Sequence, residues 1–105
     1  MNILLVLCAC PDEPSADGIA TMLVEERLAA CVNRLPVAAS TYRWQGKVCR
    51  ESEHLLLIKT TRDRFDALCE RIVERHPHEL PEILAVAVDR GLEGYLSWVS
   101  AETRA

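Results

Sequence analysis

The stretch TRDRFDALCERIVERHP, residues 61–77, contains the clearest secondary-structure signal of the sequence. Its apolar side chains recur at intervals of three and four residues, which places them on one side of an α-helix. These side chains are Phe65, Leu68, Cys69, Ile72 and Val73. Thr60 with Asp63 resembles a capping box at the start of this helix. Pro77 ends it, because the residue before a proline disfavours helical geometry.

Four strands and two further helices are predicted around this helix. The strands are NILLVLCAC (2–10), CVNRLPVAASTYRW (31–44), KVCRESEHLLLIKT (47–60) and ILAVAV (83–88). The first and fourth are continuous apolar runs, which is typical of buried strands. A first helix is predicted to open at Pro14 or Ser15 and to end near residues 29–30, with Met22 and Val24 widening its apolar side. A short helix near the C-terminus presents Tyr95, Leu96 and Val99.

The second and third strands are predicted to form a hairpin that projects as an arm. Gln45-Gly46 supplies a tight turn, since glycine readily takes a positive φ. Pro36 indicates a bulge or an edge position. Tyr42 and Trp44 lie near the tip, where they either fold back over their own sheet or contact a neighbouring subunit. We prefer the neighbouring subunit, because such aromatic residues are enriched at interfaces.

The order β-α-β-β-α-β, followed by a helix, predicts an α+β fold of ferredoxin-like type in a single domain over residues 1–105. Two right-handed crossovers give an antiparallel sheet of order 4-1-3-2 with two helices on one face. In this topology the segment HPHELPEI (76–83) lies at the same end of the sheet as Cys8 and Cys10.

Composition excludes several classes of protein. The formal net charge is -4, without a basic stripe, so nucleic-acid binding is not expected. No apolar run approaches the roughly 18 residues of a membrane span, so an integral membrane protein is not expected. The five cysteines are odd in number and lack a C-x-x-C pair, which favours reduced thiols in the cytoplasm over a disulfide framework or a zinc ribbon. No common catalytic motif is present, and the protein is predicted not to be an enzyme.

Cys8 and Cys10 are two residues apart on a strand and therefore face the same side. They are either two small apolar residues in a buried strand or soft ligands completed by an imidazole. A thiolate–imidazole set suits Cu(I) or Zn(II) better than Mg(II) or Ca(II). His76 and His78 are correspondingly either loop residues after the helix or metal ligands.

Six segments make the chain resemble a known family. They are LCACPDE, LVEERLAACVNRLP, STYRWQGKV, ESEHLLLIKTTRDRFDAL, RHPHELPEILAV and GYLSWV. In order and over nearly the whole chain, they resemble the CutA family of divalent-cation tolerance proteins. The resemblance implies a compact homotrimer, similar in build to the PII signalling trimers. It also implies an association with copper and other divalent metal ions, without an established reaction.

The resemblance also implies site residues. The copper ligands assigned in bacterial members, a cysteine near the end of the first strand and a His-His pair before the proline, fall on Cys8 and on Arg75-His76. Because Arg75 stands where the first histidine is expected, Cys8 and His76 are the predicted metal ligands. His78 stands where many relatives carry tyrosine and is a further candidate.

The leading functional hypothesis is therefore a non-enzymatic homotrimer linked to copper tolerance that binds copper, or alternatively zinc, through thiolate and imidazole. An alternative is a PII-like signalling module that binds a small ligand or a protein partner at clefts between subunits. A scaffold without a ligand is a third possibility.

Overall fold

A computed structural model describes residues 2–104, which form a four-stranded sheet and three α-helices. The elements are β1 (Ile3–Cys10), α1 (Glu13–Glu25), β2 (Cys31–Trp44), β3 (Lys47–Thr61), a 3-10 turn (Arg62–Arg64), α2 (Phe65–Arg75), β4 (Ile83–Ala87) and α3 (Glu93–Glu102). The sheet order is β2-β3-β1-β4 with antiparallel neighbours throughout, which confirms the predicted ferredoxin-like arrangement. None of the helices within residues 2–104 is long and apolar enough to cross a membrane.

The main core lies between one face of the sheet and helices α1 and α2. Alternate residues of β1 face this core, together with the inner sides of the two helices. The buried set includes Leu4, Val6, Cys8, Cys10, Ile19, Leu23, Leu56, Ile58, Leu68 and Ile72. The predicted apolar sides of the helices are narrower than expected, since Val24 and Val73 are exposed. The amphipathic pattern predicted the presence of both helices, but it predicted a wider buried side than either helix has.

The predicted capping box of α2 is wrong. Thr60 belongs to β3, and its buried hydroxyl donates a hydrogen bond to the carbonyl oxygen of Leu28 at 2.6 Å. Helix α2 follows the 3-10 turn, and neither the turn nor the helix has a side-chain cap at its start. Strand β3 ends at Thr61, one residue beyond the predicted end, and the Thr60 hydroxyl contacts the bend that follows α1.

This bond gives a test of the fold. Thr60→Val should lower the free energy of unfolding by about 1–3 kcal/mol, because a buried carbonyl loses its donor while the side-chain volume is kept. Urea unfolding at one fixed protein concentration measures the change. Thr61→Val is the matched control, since the Thr61 hydroxyl makes no hydrogen bond within residues 2–104, and it should change stability by less than about 0.5 kcal/mol. Equal effects of both substitutions would contradict this role of Thr60.

Helix α1 begins one residue earlier and ends sooner than predicted. The Asp12 carboxylate accepts a hydrogen bond from the backbone N–H of Ser15 at 2.8 Å, which caps the first turn. The helix ends at Glu25 rather than near residues 29–30. Arg27 takes a positive φ of 59°, and the N–H of Leu28 donates to the carbonyl of Leu23 at 2.8 Å. This helix-closing bond turns the following apolar residues into the core instead of extending the helix.

Strands β2 and β3 form the predicted arm. They pair continuously from the register shift between Leu35 and Ala38 to the Trp44–Lys47 pair at the tip. Gln45 and Gly46 close the hairpin with φ values of 50° and 80°. The arm extends beyond Cys10, the last β1 residue paired with β3, and contributes to a longest dimension of 44 Å. The predicted bulge near Pro36 and the edge position of β2 are therefore confirmed.

The prediction that β4 is buried is wrong for a single chain. The exposed fractions of Leu84 and Val86 are 60% and 55%. Strand β4 lies at the edge of the sheet, and α3 covers only one end of the face opposite to α1 and α2, through Val99 against Ile3. The strand registers place an apolar set on this face, beside the polar pair of Asn33 and Lys59. We call it the open sheet face: Leu5, Leu7, Leu35, Leu55, Leu57, Leu84 and Val86.

Candidate metal centre

Cys8 and Cys10 point from the end of β1 into the core beneath the helices, and both are fully buried. The two thiols share a hydrogen bond. This bond and burial raise the pKa of the Cys8 thiol well above its ordinary value. The same bond lowers the pKa of Cys10. Cys8 therefore holds its proton more strongly than Cys10 does.

His76 follows the last residue of α2, and only 7% of its surface is exposed. Its Nε2 donates to the carbonyl oxygen of Ala9 at 2.8 Å, and its Nδ1 accepts from the backbone N–H of His78 at 3.0 Å. A carbonyl only accepts and an amide N–H only donates, so the proton of the neutral ring lies on Nε2. Ala9 lies just past the last β1–β4 pair and has no partner in β4. The His76 ring therefore donates the hydrogen bond that its carbonyl would otherwise accept from a strand.

These segments meet as the topology predicted. The Cys8 Sγ, the Cys10 Sγ and one ring nitrogen of His76 lie within 4.8 Å of one another. Among residues 2–104, no other group of three or more His, Cys, Asp or Glu side chains has this spacing. The structure thus brings the two predicted ligands, Cys8 and His76, together and adds Cys10. Whether they coordinate a metal ion stays a prediction.

The arrangement supplies two sulfur donors and one nitrogen donor. Such soft and borderline ligands favour Cu(I) or Zn(II) over Mg(II) or Ca(II). Binding requires two changes, because the thiols must release protons and His76 must give up one of its two hydrogen bonds. The release of the bond to His78 leaves the bond to Ala9 in place, which is the usual way that a second partner orients a ligating histidine.

The other candidates lie outside this group. The His78 ring is half-buried, with its centroid 4.9 Å from that of His76, and it faces a surface cleft. Arg75 is exposed at the end of α2. His54 contacts Arg34 instead, with 3.4 Å between the ring Nδ1 and the guanidinium, and Arg34 also pairs with Asp17 on α1 at 2.7 Å.

The hydrogen bonds of His76 predict a structural role that needs no metal. His76→Ala should lower the free energy of unfolding of the metal-free protein by about 2–4 kcal/mol, because two buried hydrogen bonds are lost. Denaturant unfolding in the presence of a chelator measures this. His78→Ala removes a neighbouring imidazole whose ring makes no hydrogen bond to the described part of the chain, and the loss should be below about 1 kcal/mol. Unchanged stability of His76→Ala would contradict the structural role.

A cleft of about 770 Å³ adjoins this centre, between the arm and residues 77–82. Four carboxylates line it, from Glu51, Glu53, Glu79 and Glu82, together with Tyr42, Trp44 and His78. This cleft was not predicted from the sequence. The available signal was the spacing of Glu51 and Glu53, which puts both on one face of β3.

Comparisons with known proteins agree with this fold. The family model described as CutA1 divalent ion tolerance protein matches residues 4–102. The divalent-cation tolerance protein CutA of Thermus thermophilus is 48% identical over 99 residues, which cover 94% of this chain and 96% of the relative. The protein of the same name from Yersinia pestis is 45% identical over 100 residues, covering 95% and 84%.

Solved structures extend the similarity to three dimensions. The crystal structure of CutA from Xylella fastidiosa superposes with a TM-score of 0.96 at 48% identity, covering 99% of this chain and all of the other. A structure from Archaeoglobus fulgidus, described as a periplasmic divalent cation tolerance protein CutA, has a TM-score of 0.94 at 29% identity, covering 97% and 99%.

Proposed function

Because the chain belongs to the CutA1 divalent ion tolerance family, we propose that it acts in metal tolerance by capturing a soft metal ion, copper as Cu(I) or alternatively zinc. Cys8, Cys10 and His76 are the proposed ligands. The observation that carries the proposal is the placement of two thiols and an imidazole within 4.8 Å of one another, all three of them buried. Their burial excludes water and competing ligands, which favours retention of a bound ion.

The protonation of the thiols gives this capture a pH dependence. The ligand form of cysteine is the thiolate, and the pKa of the Cys8 thiol is raised. The carboxylates of Glu82, near Cys8, and of Asp12 and Glu53, near Cys10, oppose deprotonation further. Metal binding must therefore displace protons, so the affinity rises as the pH rises.

A competition experiment tests the proposal. Apparent Cu(I) affinity, measured against a coloured Cu(I) chelator of known affinity, should rise about tenfold per pH unit for each proton released between pH 6 and pH 8. The same titration with Zn(II) compares the two ions. A pH-independent affinity, after correction for the chelator, would contradict binding through protonated thiols.

We further propose that the protein is a homotrimer, that it is located in the cytoplasm and that it is not an enzyme. All five cysteines are free, which fits a reducing compartment. Two features support self-association. The open sheet face exposes apolar side chains at β4, and both edge strands, β2 and β4, leave backbone groups available for pairing with another copy. A closed trimer would cover these surfaces.

The second candidate function is a PII-like module that binds a small ligand. The cleft between the arm and residues 77–82 favours it, because its volume falls within the range of small-molecule sites. The proposed metal site and the proposed ligand-binding cleft consist of different residues. Cys8→Ser should abolish metal capture and leave the binding of a small ligand unchanged.

A further inference from the structure

Residues 77–82 connect His76 to β4, and few polar contacts hold them to the rest of the protein. Within residues 2–104, their one hydrogen bond runs from the backbone N–H of His78 to Nδ1 of His76, at 3.0 Å. Their charged side chains form no ion pair in the same range. A segment with so few contacts opens locally at a low free-energy cost. The bond between His78 and His76 is therefore the main polar contact that keeps residues 77–82 in place.

The acceptor of this bond is also the ring atom best suited to bind an ion. Nε2 of His76 donates to the carbonyl oxygen of Ala9 at 2.8 Å, so the free lone pair of the neutral ring lies on Nδ1. An ion at Nε2 would leave the carbonyl of the buried Ala9 without a donor, which is a costly loss. An ion at Nδ1 would free only the N–H of His78, a half-buried loop residue whose amide can turn to water. The structure therefore favours coordination through Nδ1.

Metal binding at Nδ1 and the contact that holds residues 77–82 exclude each other, because one lone pair cannot serve both. Access to the centre points to the same segment. The sulfurs of Cys8 and Cys10 are fully buried, so an ion reaches them only after part of the chain moves. Residues 77–82 adjoin His76 and can move without breaking a pair of the sheet, since the pairing of β4 with β1 begins at Ile83.

We propose that residues 77–82 act as a latch on the metal centre. The N–H of His78 closes the latch on Nδ1 in the metal-free protein, and an ion that binds Nδ1 displaces this N–H and frees the segment. The inference rests on the proposed metal capture and adds a regulation of that site. The coupling is reciprocal: capture loosens the latch, and a looser latch strengthens capture.

Amide hydrogen exchange in the assembled protein, followed by NMR spectroscopy with Zn(II) as the probe ion, tests the latch. Exchange at the His78 N–H should be about tenfold faster in the Zn(II)-loaded than in the metal-free protein, because its acceptor is occupied. The N–H of His76 is the internal control, since it donates to the carbonyl of Ile72 at 2.7 Å and should not exchange faster. Nitrogen chemical shifts of the His76 ring should identify Nδ1 as the coordinating atom.

A proline substitution tests the reciprocal effect. His78→Pro removes the N–H, so no hydrogen bond has to be broken when the ion binds. This variant should bind Zn(II) about threefold to tenfold more tightly than His78→Ala, which loses the same ring but keeps the N–H. Competition with a chelator of known affinity measures both variants.

The outcomes separate the latch from the metal capture on which it rests. Unchanged or slower exchange at the His78 N–H in the loaded protein, coordination through Nε2, or equal affinities of the two variants would each overturn the latch alone. The exchange measurement decides by itself if His78→Pro does not assemble. An unmodified protein that binds neither Zn(II) nor Cu(I) would overturn the proposed capture, and the latch with it.

Discussion

Cys8→Ser should lower the affinity for Cu(I) by about 100-fold or more. Substitution of residues that only orient metal ligands costs about 10–100-fold, and the loss of a direct thiolate ligand should be at least as large. The fully buried sulfur of Cys8 lies within 4.8 Å of the other two candidate ligands, so no solvent molecule can readily take its place. Chelator competition at pH 7 under reducing conditions measures the change.

Cys49→Ser is the matched control for this substitution. Cys49 lies in the arm, outside the candidate centre, and its removal keeps the number of remaining thiols equal. Its Cu(I) affinity should equal that of the unmodified protein. Equal affinities of Cys8→Ser and the unmodified protein would show that the buried centre does not hold the ion.

Val86→Lys should convert the assembled protein into single chains. Val86 lies in β4 on the open sheet face, and 55% of its surface is exposed within one chain. In a trimer that buries this face, three ammonium groups would be transferred from water into an apolar contact, which costs several kcal/mol for each. Sedimentation velocity at micromolar concentration should show the mass of three chains for the unmodified protein and of one chain for the variant.

Val73→Lys tests the specificity of that effect. Val73 has the same exposed fraction of 55% but lies on α2, on the other side of the sheet. The substitution places a cation in the last turn of a helix, where it is tolerated or favourable. This variant should retain the mass of three chains. A single-chain mass for the unmodified protein would contradict the proposed trimer itself.

The sequence predicted the sheet order and the meeting of Cys8 with His76 because both follow from the order of elements. In an antiparallel arrangement, strand β4 must begin where β1 ends. His76 lies between the end of α2 and the start of β4, so it lies near the end of β1 as well. The boundaries were less predictable. The end of α1 depends on a positive φ at Arg27, a conformation that its residue type does not indicate.

The details of the site depend on tertiary contacts that no local pattern encodes. The sequence offered Thr60 as a helix cap, yet its hydroxyl is committed to the carbonyl of Leu28, 32 residues away. Likewise, nothing in the segment around His76 indicates that its ring forms a hydrogen bond with the carbonyl oxygen of Ala9. The acidic cleft arises only when the arm folds alongside residues 77–82. The exposure of Leu84 was not predicted, because an apolar run indicates that a strand is buried. It does not indicate whether the strand is covered by its own chain or by another subunit.

X-ray absorption spectroscopy of the Cu(I)-loaded protein tests the central claim most directly, because it reports the donor atoms around the metal. We predict a coordination shell of two sulfur atoms and one nitrogen atom, supplied by Cys8, Cys10 and His76. Cys10→Ser should then lose one sulfur while keeping the nitrogen. A shell of nitrogen and oxygen atoms alone would contradict the claim that the buried thiols and His76 capture the ion.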